Sequence, residues 1–381
     1  MTSLALKDLR RLVIKIGSAL LIDADGHVNR TWLASLAEDI FSLRESGHQV
    51  LIVSSGAVAL GSRVIGLDAP GARLEDLQAA AAAGQVHLVH AYQEVLGHFD
   101  IPVAQILLTP DDTEVRRRFL NARNTLEKLI DFAVVPVINE NDTVATEELK
   151  YGDNDRLAAR VAQIVMADGL ILLSDVDGLY TADPRQDPKA QHIPIVRGGI
   201  GDDLFAMAGG SGSRVGSGGM LTKLQAARIA THAGCSTIIT RGDMSRPLQA
   251  LADGGKCTLF SSEGTPQSAR KQWLAGVLDV CGEVRLDAGA VAALNNGKSL
   301  LPVGVIAIDG QFRRGDAVIL RDEAGTELGR GLAAYASDEA DAIKGCRSEL
   351  ISSKLGYRGR DVMIHRDDLV LFSSADRKNL S

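Results

Sequence analysis

Val134-Val135-Pro136-Val137-Ile138-Asn139-Glu140-Asn141-Asp142-Thr143, followed by Tyr151-Gly152-Asp153-Asn154-Asp155, is the stretch that decides how the chain folds. It opens as an apolar run of strand length, breaks into carboxylates and carboxamides, and continues at 157–166 as a helical pattern. A buried strand, a polar loop and a helix, in that order, make the repeating unit of a parallel sheet covered by helices. The polar groups of the loop can receive an ammonium, orient a lysine or hold a metal through water, but none is a good nucleophile unaided. The loop therefore reads as a small-molecule pocket at the end of a buried strand.

Working outward, the same unit recurs. Toward the N-terminus, Leu12-Val13-Ile14-Lys15-Ile16-Gly17-Ser18 is an apolar strand ending in a tight turn, with one lysine inside it. A lysine in a core strand is costly unless its ammonium reaches a charged partner, so Lys15 marks a site at the strand end. Leu33, Leu36, Ala37, Ile40 and Leu43 predict an amphipathic helix over 31–47. Val50-Leu51-Ile52-Val53 is the next strand, ending in Ser54-Ser55-Gly56-Ala57, where small residues let a ligand approach the backbone. An alanine-rich helix is predicted over 74–99 and a strand over 101–107. Arg116-Arg117-Arg118 leads into a further helix and fits a solvated face first, or else an oligomer contact or an anion site.

Toward the C-terminus, Leu170-Ile171-Leu172-Leu173 is another strand, ending in Ser174-Asp175. Strands apolar along their whole length, alternating with helices, indicate an α/β fold: an αβα sandwich around a mostly parallel sheet. In such sheets ligands bind beyond the carboxyl ends of the strands, where Lys15, Ser55, Asn139, Asp142 and Ser174 all fall. The segment 198–219 is rich in glycine and serine and ends Ser217-Gly218-Gly219-Met220-Leu221-Thr222-Lys223 before a helical pattern. Backbone amides in such a loop can wrap phosphates, with Lys223 arriving on the first turn of the helix. It is not a Walker A loop: the glycine needed five places before Gly297-Lys298-Ser299 is Ala292. No G-x-G-x-x-G follows the first strand either. After a polar stretch at 261–272, short strand patterns separated by turns predict a small, mostly β barrel.

Composition narrows the function. With 381 residues, 45% of them hydrophobic, the chain can build two domains with full cores. No run approaches the length of a membrane span, and the N-terminus is charged and lacks a signal-peptide core, so a cytoplasmic protein is expected. A net charge of −7 argues against nonspecific nucleic-acid binding. Cys235, Cys257, Cys281 and Cys346 lie far apart, with neither disulfide nor metal spacing, and no metal ligands are assigned.

Taken together, these residues resemble the amino acid kinase family, and within it the members that phosphorylate the side-chain carboxylate of glutamate. The resemblance rests on Val-Ile-Lys-Ile-Gly-Ser, Val-Ser-Ser-Gly-Ala, Asn-Glu-Asn-Asp-Thr, Gly-Asp-Asn-Asp, Gly-Leu-Tyr-Thr-Ala-Asp-Pro and Gly-Ser-Gly-Gly-Met-Leu-Thr-Lys. The tail, with Leu286-Asp287-Ala288-Gly289-Ala290, is similar to a PUA domain. The resemblance implies a kinase domain at 1–262, a linker at 263–279, a PUA barrel at 280–370 and a tail at 371–381. It implies ATP and Mg²⁺, with L-glutamate as acceptor, feedback inhibition by proline and a homo-oligomer. Lys15, Ser174, Asp175 and the run Ser217, Gly218, Gly219, Met220, Leu221, Thr222 and Lys223 would contact ATP. Ser174 stands where threonine is expected, and Leu221 where a small polar residue is. Ser55, Gly56, Asn139, Asp142 and Asn154 would hold glutamate. Two lysines close together repel, so Asp155 or Asp153 is expected between Lys15 and Lys223. The competing readings are a kinase for another acid and an RNA-binding tail. Residues 281–360 carry eleven basic and eleven acidic side chains, without the basic excess that phosphate tracking needs.

Overall fold

The computed structural model describes residues 6–67, 71–144, 154–208, 219–275 and 280–372. The chain divides into two compact units, Met1–Pro266 and Gln267–Ser381.

Among the described residues, the strands of the first unit are β1 (Arg11–Ile16), β2 (Gln49–Ser54), β3 (Val103–Leu108), β4 (Val135–Glu140), β5 (Gly169–Ser174), β6 (Leu179–Tyr180), β7 (His192–Ile193), β8 (Ile195–Val196), β9 (Ser236–Arg241) and β10 (Cys257–Phe260). One eight-stranded sheet runs in the order β3-β4-β2-β1-β5-β9-β10-β8. Every pairing from β3 across to β9 is parallel. The edge departs from that pattern: β10 runs antiparallel to β9. Strands β6 and β7 form a separate small hairpin.

The helices are α1 (Ser18–Leu21), α2 (Arg30–Glu45), α3 (Ala57–Ile65), α4 (Leu74–Gly97), α5 (Pro110–Glu114), α6 (Arg116–Asp131), α7 (Asn154–Ile164), α8 (Asp202–Met207), α9 (Met220–His232) and α10 (Pro247–Ala252). They cover both faces of the sheet. Because side chains alternate along a strand, β1 feeds two cores. Leu12, Ile14 and Ile16 point into a core shared with α2 and α4. Val13 points into the other, shared with α7 and α9. Lys15, two residues on from Val13, lies on that second face. Its strand neighbours in register are Val53 and Leu172, both in the same core.

Helices α3 and α4 touch backbone to backbone. A Cβ on Gly61 would lie 1.6 Å from the Ala80 carbonyl oxygen, and one on Gly84 would lie 1.8 Å from that of Ala57. Only glycine permits this approach. It pins the start of α3, and so the end of β2, against the middle of α4.

The second unit contains all of α11 (Pro266–Ala275) after its first residue, with β11 (Val280–Leu286), α12 (Ala288–Asn295), β12 (Val305–Gly310), β13 (Ala317–Arg321), β14 (Glu327–Leu332), α13 (Ser337–Ile343), α14 (Ile351–Leu355) and β15 (Leu369–Leu371). Its sheet order is β12-β11-β13-β14-β15, with β11 and β13 parallel and the other pairs antiparallel. The stretch expected as a linker instead carries α11. Proline is well suited to the first helical turn, and the residues after it are good helix formers. Arg270 on this helix is buried, pairs with Asp368 and donates to the Asp367 carbonyl at 3.0 Å. Those bonds tie α11 into the second unit.

Candidate active site

The carboxyl ends of β1, β2, β4 and β5 meet the first turns of α7 and α9. Asp155, in the first turn of α7, is fully buried. One of its oxygens lies 2.6 Å from the Lys15 ammonium and the other 3.0 Å from that of Lys223. Both lysines are themselves buried. The arrangement follows from the elements. Lys15 reaches out from the α7-facing side of the sheet, α7 presents Asp155 at its N-terminus where a carboxylate is favoured, and α9 brings Lys223 on its own first turn. Thr222 adds a hydroxyl that lies 3.3 Å from the same Asp155 oxygen and also donates to the Gly219 carbonyl at 2.8 Å. One buried carboxylate thus holds two ammonium groups side by side. Removing it would leave like charges facing each other in a dry site.

Asn154, the residue before Asp155, belongs to a neighbouring network. Its amide nitrogen donates to the Ser54 carbonyl at 2.7 Å, the Ser55 hydroxyl at 3.0 Å and the Asn139 side-chain oxygen at 2.8 Å. Two backbone groups fix which end of each carboxamide is which. The Ser54 carbonyl requires a donor from Asn154, and the Glu140 amide, 2.9 Å from the Asn139 oxygen, requires an acceptor there. With its nitrogen committed inward, Asn154 has its carboxamide oxygen left to accept from a ligand. Asn139 has no such freedom, because its nitrogen donates to Gln85 at 2.9 Å. Both ends of its carboxamide thus bond within the protein.

Gly56 has φ +108, and a Cβ there would come within 3.3 Å of Ile22, so only glycine lets β2 turn into α3 at this point. Asp142 lies half-buried in the turn after β4. Ser174 is buried at the end of β5 and donates to the exposed Asp175 at 3.0 Å. Gly219 caps α9, with Met220, Leu221 and Thr222 forming its first turn. Asp153, Ser217 and Gly218 lie outside the described residues.

The model of the amino acid kinase family matches residues 10–241, and that of the PUA domain residues 282–355. The chain belongs to the amino acid kinase family. It is similar to a glutamate 5-kinase of Paramagnetospirillum magneticum, with 56% identity over 95% of this chain and 98% of the relative. A glutamate 5-kinase of Nitrobacter hamburgensis is 55% identical over 97% of this chain and 98% of its own length. Among solved structures, a carbamate kinase from Giardia lamblia aligns with TM-score 0.49 and 17% identity over 68% of this chain and all of its own.

The carboxyl end of β9 carries a further feature of which the sequence gives no sign. Beside Asp177, a cleft of about 200 Å³ is lined by Thr240, Arg241, Met244, Pro247 and Lys256. Lys256 is held at its rim by the Tyr180 hydroxyl at 2.6 Å and by Asp177 at 3.4 Å. Gln85 and Tyr92 were missed as well, hidden within an alanine-rich helix. Tyr92 is fully buried, its hydroxyl 3.0 Å from that of Ser54. Burial drives its pKa well above the usual phenol range, against a small opposing effect of the Ser54 bond, so it stays a neutral hydroxyl. The signal was there to read: Gly84-Gln85 interrupts the alanine run. The arginine cluster proves more ordinary at one position, where Arg118 pairs with Asp112 at 3.5 Å.

Proposed function

We propose that this amino acid kinase transfers the terminal phosphoryl group of ATP to the γ-carboxylate of L-glutamate, giving γ-glutamyl phosphate and ADP. A single observation carries the reading. Asn154 and Asp155 are consecutive residues in the first turn of α7, so the group suited to an amino acid and the group that holds two cations are fixed to one rigid element. The near full-length similarity to proteins named glutamate 5-kinase supports glutamate as the acceptor.

The chemistry needs no general base, because the γ-carboxylate is already ionised at neutral pH. A carboxylate oxygen attacks the terminal phosphorus in line, and the bond from that phosphorus to the leaving ADP oxygen breaks. The barrier is electrostatic, an anion approaching a polyanion. Lys15 and Lys223, preorganised by Asp155, would neutralise charge on the transferring group and the leaving phosphate. Backbone amides at the start of α9 would add donors. Asn154, Ser55 and Asp142 would hold the amino acid, Asp142 and the Asn154 oxygen being acceptors for its ammonium. Ser174 and Asp175 would meet the nucleotide, with its base toward the cleft beside Asp177.

Among the described residues no group of three or more acidic, histidine or cysteine side chains could hold a metal. Asp155 is committed to the two lysines. Mg²⁺ would come bound to the nucleotide's own phosphate oxygens, as this ion commonly does.

The test is glutamate-dependent ADP release with the acyl phosphate trapped by hydroxylamine, run beside acetylglutamate, aspartate and carbamate. Saturable release with glutamate supports the reading, and preference for another acid overturns it. Proline is proposed to compete at the glutamate pocket. An apparent KM for glutamate that does not rise with added proline would remove that part.

A further inference from the structure

Gln85 stands at the base of the network that carries Asn154, one bond removed from it through Asn139. Its side chain is buried, and its oxygen accepts from the Asn139 nitrogen at 2.9 Å. That bond, with the Glu140 amide, fixes Asn139 so that its oxygen faces Asn154. Asn154 is then held by three acceptors, and its own oxygen is left for the substrate. The side-chain nitrogen of Gln85 is buried without any hydrogen-bond partner. A buried donor left unmade is uncommon and costly. Its retention points to the oxygen as the half that matters, and a sealed nitrogen cannot reach a ligand in the pocket.

The helix that carries Gln85 is equally constrained. Gly84, the preceding residue, makes the backbone contact with Ala57 that docks α4 on α3. Tyr92, two turns further along the same helix, bonds to Ser54. Helix α4 therefore grips the strand ends on either side of the pocket, through Asn139 on β4 and Ser54 on β2.

We infer that Gln85 is a positioning residue for the amino-acid subsite, acting through Asn139 to aim the carboxamide of Asn154. The inference rests on the glutamate-kinase reading above. Gln85→Met keeps the length and removes the acceptor, leaving Asn139 free to rotate. Gln85→Glu keeps an acceptor oxygen in either protonation state, and exchanges only the nitrogen that bonds to nothing.

The experiment measures KM for glutamate, KM for ATP and kcat in the full-length wild type and both variants, with melting curves to verify folding. Gln85→Met should raise KM for glutamate about tenfold, the scale of one lost hydrogen bond, with KM for ATP unchanged. Its kcat should change far less than KM. Gln85→Glu should restore KM to near the wild-type value. On an Asn154→Ala background, Gln85→Met should add nothing further, because both changes remove the same interaction. A folded Gln85→Met enzyme with wild-type KM for glutamate overturns the inference, as does a folded Gln85→Glu enzyme impaired as much as Gln85→Met. If Gln85→Met does not fold, the Gln85→Glu result decides alone. A wild type that releases no ADP with glutamate overturns the functional reading and this inference with it. A glutamate-saturable wild type beside an unaffected Gln85→Met overturns this inference only.

Discussion

Asp155 holds Lys15 and Lys223 at 2.6 and 3.0 Å while being fully buried itself. A pair of this kind adds little net stability, since desolvation offsets much of the attraction, but taking away the shared partner strands two charges. Asp155→Ala is therefore expected to destabilise the first unit by about 3–5 kcal/mol and to abolish turnover, read by thermal melting and ADP release. Lys15→Ala and Lys223→Ala each remove one preorganised cation, so each should lower kcat by roughly 10² to 10³. A purified Lys223→Ala enzyme with unchanged kcat would exclude it from the chemistry. Asp142→Ala and Asn154→Ala should act mainly on KM for glutamate, since contacts to the amino acid's α end persist from ground state to transition state.

At the scale of elements, two contacts set the geometry of the first unit. The α3–α4 crossing leaves no room for a Cβ at Gly84, which would meet the Ala57 carbonyl oxygen at 1.8 Å. Gly84→Ala should force the helices apart and cost about 1–3 kcal/mol, seen as a lower Tm. An unchanged Tm would show that the crossing is looser than its geometry implies. The β6–β7 hairpin gives a pH-dependent counterpart. His192 on β7 has its Nε2 buried without a partner, and Gly178 packs directly against that atom. Burial, and then the Lys256 ammonium, lower the pKa of His192 below its ordinary value of 6.5, against a smaller opposing pull from Asp177. The unfolded chain thus takes up this proton at a higher pH than the folded one. The stability linked to His192 is complete above about pH 6.5 and is lost as pH falls toward the lower folded pKa. Between pH 7.5 and 5.5, His192→Gln should show a smaller fall in Tm than the wild type.

At the scale of the molecule, every described candidate site residue lies in the first unit, and the eight-stranded sheet is complete within it. The natural place to divide the chain is after Pro266, because Thr265 and Pro266 pack against Gly234 in the first unit. A fragment ending at Pro266 is expected to melt cooperatively and to keep glutamate-dependent ADP release. A folded but inactive fragment would assign the second unit a part in catalysis. None of the described helices is long and apolar enough to cross a membrane. The sequence alone determined the parallel sheet, since uniformly apolar strands alternating with helical patterns admit few other arrangements. It also marked Lys15 as a site residue, because a lysine inside a buried strand demands a partner. Local periodicity could not reach further. Which of Asp155 and Asp153 bridges the lysines depends on where α7 begins and which face of the sheet Lys15 leaves from, and both are set by packing between segments far apart in sequence. The same holds for Gln85, whose side chain resembles any other polar residue on an alanine-rich helix. Only the glycine contact between α3 and α4 turns it inward to Asn139, where a buried amide must be matched by an acceptor.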